Sequence, residues 1–408
     1  MKRWLMLAAA AATGAHFALS MQEPREPAPR WWRGNMHTHT ACAEGDDFPE
    51  MAADWYRTHG YNFVALTEHN LLSKGQNWKL VRDIDAKAKT DAFARYKRRL
   101  GDGWGETRTG SGPDTLEVRL KPFDEFSPLL SEAGRFLIIP AEEITDQAKN
   151  GHAIHMCASN LDEAIVPRSG ATVAEAIGNN LDAVRASSVR TGRDVLAAVN
   201  HPNYKWGVTA EDLASRGDLR FFEFWNGVSN DNDPGDVEHP STDAIWDRAN
   251  ALRLAAGFPP LYGLANDDSH NYHGNNPRAV PGRAWIMVRS RYLSPESIFR
   301  AMRAGDFYAT TGVLLTNVAF ETSSRVLTAD IQPQQGETFV TRFMGTRKGR
   351  GAGETFAGVF EEVKGEHAVY TMRGDESSVR AVIVSSAPPE VTSPKFGYKR
   401  AWTQPVGW

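Results

Sequence analysis

The sequence predicts an α/β protein: a β/α barrel followed by a smaller C-terminal β domain. Three observations predict it. Apolar, strand-like runs alternate with helical patterns from Trp31 to Ala265. Most of those runs end in His, Glu or Asp, as expected of a barrel that builds its site at the C-terminal ends of its strands. From Leu314 onward the pattern changes to short alternating runs, among them Asn317–Phe320, His367–Tyr370 and Val379–Val384, the signature of a small β-sandwich. At 408 residues the chain is long enough for two domains or for one large barrel with an appendage. The expected division is a barrel over 31–312 and a β domain over 313–408.

With 41% hydrophobic and 24% charged residues the composition is that of an ordinary globular chain. A net charge of −4 carries no nucleic-acid signature, so duplex binding is not expected. The N-terminus stands apart. Lys2 and Arg3 precede an apolar run from Trp4 to Ala12 and small residues ending in Ala18-Leu19-Ser20. These are the zones of a secretory signal over 1–20, removed near Ser20 or Met21, which implies an exported protein, periplasmic or secreted. The alternative is an uncleaved anchor, but the apolar run is short for a membrane span, and no later stretch is apolar enough for one. A Pro-rich linker fills 21–30. The two cysteines, Cys42 and Cys157, can pair in an exported protein or remain as buried thiols.

Trp31 to His39 reads as the first strand. Side chains alternate along a strand, so His37 and His39 point the same way and can grip one metal ion. Glu44-Gly45-Asp46 is an acidic turn just beyond. Met51 to Gly60 has helical spacing with Gly60 as its stop. Tyr61 to Leu66 is a buried strand that delivers Thr67-Glu68-His69-Asn70 to the same rim. The rhythm then breaks over about 71–130, which reads as an inserted cap. Its stretch from Trp78 to Leu100 looks helical and is rich in Lys and Arg, suited either to attracting an anionic substrate or to a solvated face.

Arg135 to Pro140 is the next strand, and either Glu142 or Glu143 beyond it can bridge two metals. In the strand His152–Cys157 the two histidines are an odd number of residues apart, so only one of His152 and His155 faces inward. Gly170 to Arg190 is helical, and Asp194 to Asn200 is a strand ending in His201-Pro202, where proline stops the ladder. Phe221 to Gly227 is a strand with a polar end. Ser241 to Ala256 is a helix, and Leu261 to Ala265 is a last strand delivering Asn266-Asp267-Asp268-Ser269-His270.

Taken together, these segments resemble the PHP (polymerase and histidinol phosphatase) superfamily over roughly His37 to Gly312. The opening His-x-His of that family is met by His37 and His39. Its Ser-Asp-Gly turn is similar to Ala43-Glu44-Gly45, and its Thr-Asp-His-Asp/Asn to Thr67-Glu68-His69-Asn70. Its Pro-Gly-x-Glu is similar to Pro140-Ala141-Glu142-Glu143, which selects Glu143, and its Ile-His matches Ile154-His155, which selects His155. His201-Pro202 and Asp268-Ser269-His270 supply the closing motifs, and Gly305–Gly312 resembles a segment that follows the barrel. Two departures are Glu44 in place of Asp and Ala141 in place of Gly.

The resemblance implies a distorted (β/α)7 barrel of PHP type holding two or three divalent transition ions, zinc, manganese or iron. His37, His39, Glu143 and Asp268 would hold one ion; Glu143, His155 and His201 a second; Glu44, His69 and His270 a third. Asp268 is also the catalytic candidate. The implied activity is hydrolysis by a metal-bridged hydroxide, with phosphate mono- or diesters as the family's usual substrates. Lys205, His273 and Arg278 are candidate contacts for a small anionic ester. Two other readings stand beside it. A carbamate, carboxylic ester or amide can be cleaved on the same metals, with Trp78, Trp104, Tyr204, Trp206 and Trp225 lining an apolar pocket. A non-catalytic protein can bind metal, or carbohydrate through its C-terminal part. Nothing in the sequence sets the oligomeric state.

Overall fold

The computed structural model describes residues 26–110, 112, 114–347, 358–395 and 397–408. The expected signal segment lies outside the described residues, as does half of the expected linker.

The first part of the chain runs β1 (Arg30–Asn35), α1 (Pro49–Thr58) and β2 (Phe63–His69). The insertion follows as β3 (Asn77–Leu80), α2 (Val81–Ala88), α3 (Ala92–Leu100), β4 (Thr107–Thr109), β5 (Leu116–Leu120) and α4 (Phe123–Leu130). The alternation resumes with β6 (Leu137–Gln147), β7 (Ala153–Ser159), α5 (Val173–Thr191), β8 (Leu196–Val199), α6 (Ala210–Ala214), β9 (Phe221–Asn226), α7 (Thr242–Ala255) and β10 (Tyr262–Asn266). Then come β11 (Trp285–Ser290), α8 (Pro295–Arg303), β12 (Phe307–Thr310), β13 (Leu315–Glu321), β14 (Val326–Ile331) and β15 (Phe339–Arg347). The chain closes with β16 (Gly358–Lys364), β17 (His367–Thr371), β18 (Glu376–Ser385) and β19 (Arg400–Thr403).

Among the described residues the strands form one 13-stranded sheet, ordered β10-β9-β8-β7-β6-β2-β1-β11-β12-β19-β18-β15-β16, and two 3-stranded sheets. The run from β10 to β1 carries the site. Its pairs β1–β2, β2–β6, β8–β9 and β9–β10 are parallel. β7 is antiparallel to both β6 and β8, which departs from the regular strand–helix alternation expected. The cause is local: only a short turn with a positive-φ glycine, Gly151, separates β6 from β7, too short for a crossover. His155 near the start of β7 therefore meets the rim where the oppositely directed β8 ends, across from Thr145 of β6.

Beyond the strand ends, the His39 amide donates to Ser269 O (2.9 Å), and Asp268 N donates to His37 O (3.1 Å). These bonds join the outlets of β1 and β10, the two ends of this run. The core beneath combines Phe222, Phe224, Leu264, Ile139 and Met156. Trp246 on α7 stacks on Phe224 at 4.8 Å, and its indole N–H donates to Leu261 O.

The cap differs from the single helical run expected over Trp78–Leu100. Lys89 takes a left-handed conformation (φ 53°) that ends α2 before α3 begins, and β3, β5 and β4 pair as a small antiparallel sheet. The C-terminal strands also differ from a separate sandwich. One layer, β13-β14-β17, stands alone, whereas the other, β19-β18-β15-β16, continues the main sheet through the β12–β19 pair. Phe343, Tyr370, Leu327 and Ile383 fill the space between them.

Arg380 on β18 reaches α7, with Nε and Nη2 donating to the Asp247 carboxylate at 3.0 Å each; both side chains are buried. Removing one partner strands the other charge in a dry place, which costs about 3–5 kcal/mol. Arg380→Leu should lower the unfolding free energy by that amount in urea titrations, and Arg380→Leu with Asp247→Leu should recover most of it.

Candidate metal centre

The site lies where β1, β2, β8 and β10 end and β7 begins, beside the middle of β6. His37 and His39 follow β1 and are fully buried. Their Nε2 atoms approach to 3.2 Å, so the two imidazoles do converge on one point. Asp268 Oδ1 completes that group at 3.3 Å from His37 Nε2 and 3.1 Å from His39 Nε2, and it has no hydrogen-bond partner.

Glu143 stands at the centre. Its Oε1 lies 3.2 Å from His37 Nε2, 3.2 Å from His155 Nδ1 and 3.1 Å from His201 Nε2, while Oε2 lies 2.9 Å from His69 Nδ1. Strand alternation turns Glu142 the other way, where Oε1 accepts from Ile165 N. His155 likewise faces the cluster while His152 is exposed. His270 donates from Nδ1 to its neighbour Asp268 O (2.9 Å), leaving Nε2 free. Four sets of ligand atoms lie within 4.8 Å of one another: His37, His39 and Asp268; His37, Glu143 and His201; His69, Glu143 and His155; His39, His69 and His270.

Glu44 is not in these sets. Its side chain is 65% exposed, and its nearest approach is 3.8 Å to His69 Nε2. His39 stands in the place beside His69 and His270 that Glu44 was expected to fill. Of the expected substrate contacts, Lys205 is exposed with Nζ 5.0 Å above the Tyr204 ring. His273 is engaged on both ring nitrogens, accepting from Arg95 (2.8 Å) and donating to Asp46 O (3.1 Å). Arg278 is exposed and donates to Asn230. Cys42 and Cys157 are free buried thiols and do not pair.

Charges in the cluster govern one another. Burial opposes protonation of His37 and His39, but Asp268 and Glu143 outweigh it, raising His37 well above the usual imidazole range and His39 to about 9. Burial likewise opposes His201, which Glu143 and Asp231 raise to about 9. Burial would push Glu143 and Asp268 up, yet the surrounding histidines hold both well below the usual carboxylate range. Burial and the nearby His39 drive His270 down to about 3.

A layer of residues beneath the ligands was not singled out from the sequence. Glu223, fully buried in the aromatic strand β9, accepts from His37 Nδ1 at 3.1 Å, from Asn266 at 2.9 Å and from the His201 amide at 3.2 Å. A carboxylate only accepts, so His37 carries its proton on Nδ1 and turns Nε2 toward the cluster. This is the arrangement in which an outer carboxylate fixes a metal-binding imidazole. The sequence signal was a Glu inside Phe-Phe-Glu-Phe-Trp, a charge that such a strand buries only with a partner. Asparagines follow the same logic. Asn35, Asn200, Asn226 and Asn266 are buried at four strand outlets. Asn200 donates to Glu143 Oε1 (2.7 Å), and Asn226 donates to Asp268 Oδ2 (3.0 Å).

The donor set of imidazoles and carboxylates suits a divalent transition ion. Asp268 Oδ1, buried and aimed at His37 and His39, makes no hydrogen bond of its own. Backbone geometry agrees, since His201 (φ 21°) and Asp268 (φ 47°) adopt positive φ, a strain typical of functional positions.

No family model matches this chain, and no curated protein does. The chain is similar in structure to a two-domain protein from Bacteroides vulgatus containing a predicted PHP-like metal-dependent phosphoesterase. That match has 14% identity and a TM-score of 0.40, covering 96% of this chain and 100% of the other. It is also similar to a proposed metal-dependent phosphoesterase from Bifidobacterium adolescentis, at 12% identity and a TM-score of 0.31, covering 67% of this chain and 96% of that one. The chemistry of the site rests on its own geometry.

Glu223→Gln removes the charge that orients His37 and should weaken metal affinity about 10–100-fold, read by competition against a chromophoric chelator. In chelator-stripped protein, His39 and His201 keep their protons up to about pH 9. Metal must displace those protons, so apparent affinity should climb from about pH 7 to about pH 9, roughly tenfold per unit for each proton released.

Proposed function

We propose that this protein is a metal-dependent hydrolase of small anionic esters, phosphate mono- or diesters foremost. The observation that carries the reading is Glu143, one buried carboxylate with an oxygen 2.9–3.2 Å from each of His37, His69, His155 and His201. Such a shared carboxylate is suited to bridging adjacent ions. His37, His39 and Asp268 would complete one shell, and His155 and His201 another. His69 and His270 would form a third, with Glu44 at its outer edge. Divalent ions so held would supply Lewis-acid chemistry, polarising an ester and lowering the pKa of water. The chain's own part is to fix the ligands: Glu223 sets the His37 tautomer, and Asn226 holds Asp268 Oδ2 so that Oδ1 faces inward.

The same proposal takes the β10-to-β1 run, supported by its joined outlets, as a distorted (β/α)7 barrel. Export is the location that the N-terminal sequence suggests, and fractionation of cells producing the full chain tests it.

Phosphate is favoured over an aromatic carbamate by what surrounds the rim. The cap contributes Lys79, whose Nζ lies 3.2 Å from Ala43 O next to Glu44, and Lys87, whose charge interacts with Glu44 and Asp46. Most of the aromatics are committed elsewhere. Trp104 donates to Glu50, Trp206 stacks on His239 and Trp225 is core. Tyr204 is the one of these five that stands at the cluster among the described residues, with its ring 5.4 Å from His155 and 5.3 Å from His201.

Chelation should abolish turnover, and zinc, manganese or iron should restore it. Aryl phosphates, phosphodiesters, carbamates and carboxylic esters assayed side by side identify the bond, and turnover of carbamates alone would overturn the phosphoesterase reading. His69→Ala should lower both metal content and activity; full occupancy with undiminished turnover would remove His69 from the site.

A further inference from the structure

We infer that Lys395, from the segment between β18 and β19, is a positioning residue of the metal centre, so that the C-terminal part of the chain completes the site. This rests on the proposed metal centre. The Lys395 side chain is 3% exposed, an unusual place for an ammonium. Its Nζ donates to Asn226 O and to Asp233 Oδ2, both at 2.7 Å, and lies 5.2 Å from the centre of the Trp225 ring. Asp233 Oδ2 also accepts from the Asn226 amide at 3.0 Å. The lysine and its partner thus clamp the main chain of Asn226 from both its N–H and its C=O.

The clamped residue touches the site directly. The Asn226 side-chain amide donates to Glu223 Oε2 (2.9 Å) and to Asp268 Oδ2 (3.0 Å), and its own Oδ1 is used by Val228 N (2.8 Å). One amide therefore sets the rotation of two carboxylates. It turns Asp268 Oδ1 toward His37 and His39, and it holds Glu223 against His37 Nδ1. Neither Asp268 nor His37 touches Lys395; the lysine acts through Asn226. Its charge has a further use, because Asp231 and Asp233 crowd this side of the centre and burial disfavours their ionised forms, an effect that Lys395 opposes in part.

The segment that carries Lys395 is itself fastened to the rim. Arg283 donates from Nε to Thr392 O (3.1 Å) and from Nη1 to Gly227 O (2.7 Å), next to Asn226. The same arginine therefore ties the C-terminal segment and the β9 outlet together.

The test is zinc affinity of the full-length chain, measured by competition with a chromophoric chelator and compared with thermal unfolding of the stripped protein. Lys395→Met should lower zinc affinity at least about tenfold, a loss of the size seen when an outer-layer contact is removed. Because that variant leaves Asp233 buried and unpaired, the double variant Lys395→Met with Asp233→Asn is measured as well. It removes both charges and should recover unfolding temperature while zinc affinity stays low. Lys395→Arg, which retains a donor and the charge, should fall between. Two results overturn the inference: wild-type zinc affinity in the stable double variant, or zinc affinity that simply tracks unfolding temperature across all three. A wild-type protein that binds no zinc, manganese or iron would instead overturn the metal centre itself.

Discussion

The constraint on which the structure depends is the burial of Glu143 and Asp268 among histidines at the end of a sheet. Each ion withdrawn from water costs several kcal/mol unless partners replace the lost hydration. The chain meets that cost with the surrounding histidines and with neutral amides, and the same histidines hold a further buried carboxylate, Glu223, in its charged form. Asparagine suits the strand outlets because it donates and accepts without adding charge. Asn266 shows both uses, accepting from Met36 N with Oδ1 while donating to Glu223 Oε1 with Nδ2. The ligands are thus held from below by a hydrogen-bonded layer, which itself rests on the aromatic core around Phe224 and Trp246.

That layering explains where the backbone is strained. His201 comes one residue after Asn200, and Asp268 two after Asn266. Each must leave the strand direction sharply to face the cluster, and the positive φ values at both are the result. The strain is held by bonds on either side: the His201 amide is taken by Glu223, and the Asp268 amide by His37 O. Relaxing either turn would turn a ligand away from the cluster, so the conformation and the ligand geometry constrain each other.

Legibility in the sequence followed the same division. Strands such as Phe63–His69 and Phe221–Asn226 were visible because a buried strand is a continuous apolar run, and most residues of the cluster were visible because they end or follow such a run. His155 over His152 and Glu143 over Glu142 agreed with the motif, and strand alternation is the physical reason. Three things were hidden. The antiparallel β7 could not be read because periodicity does not encode strand direction. Glu223 and the outlet asparagines make some local bonds, but the partners that tie them to the cluster are distant in sequence, as with Glu223 and His37, 186 positions apart. The joining of the C-terminal strands to the main sheet depends on β12 meeting β19, a pairing that alternation alone does not specify.

The shared sheet also bears on how a polar centre is made stable. A cluster of ions and amides contributes little hydrophobic free energy, so stability must come from the cores on either side. One lies under the β10-to-β1 run and the other between the C-terminal layers. Because β11, β12 and β19 link the two through continuous hydrogen bonding, and Arg380 and Lys395 reach from the second part into the first, disruption of one is felt by the other. The C-terminal part is therefore joined to the sheet that carries the candidate metal centre and does not stand apart as an appendage. Packing energy gathered far from the ligands is what keeps their unfavourable arrangement in place.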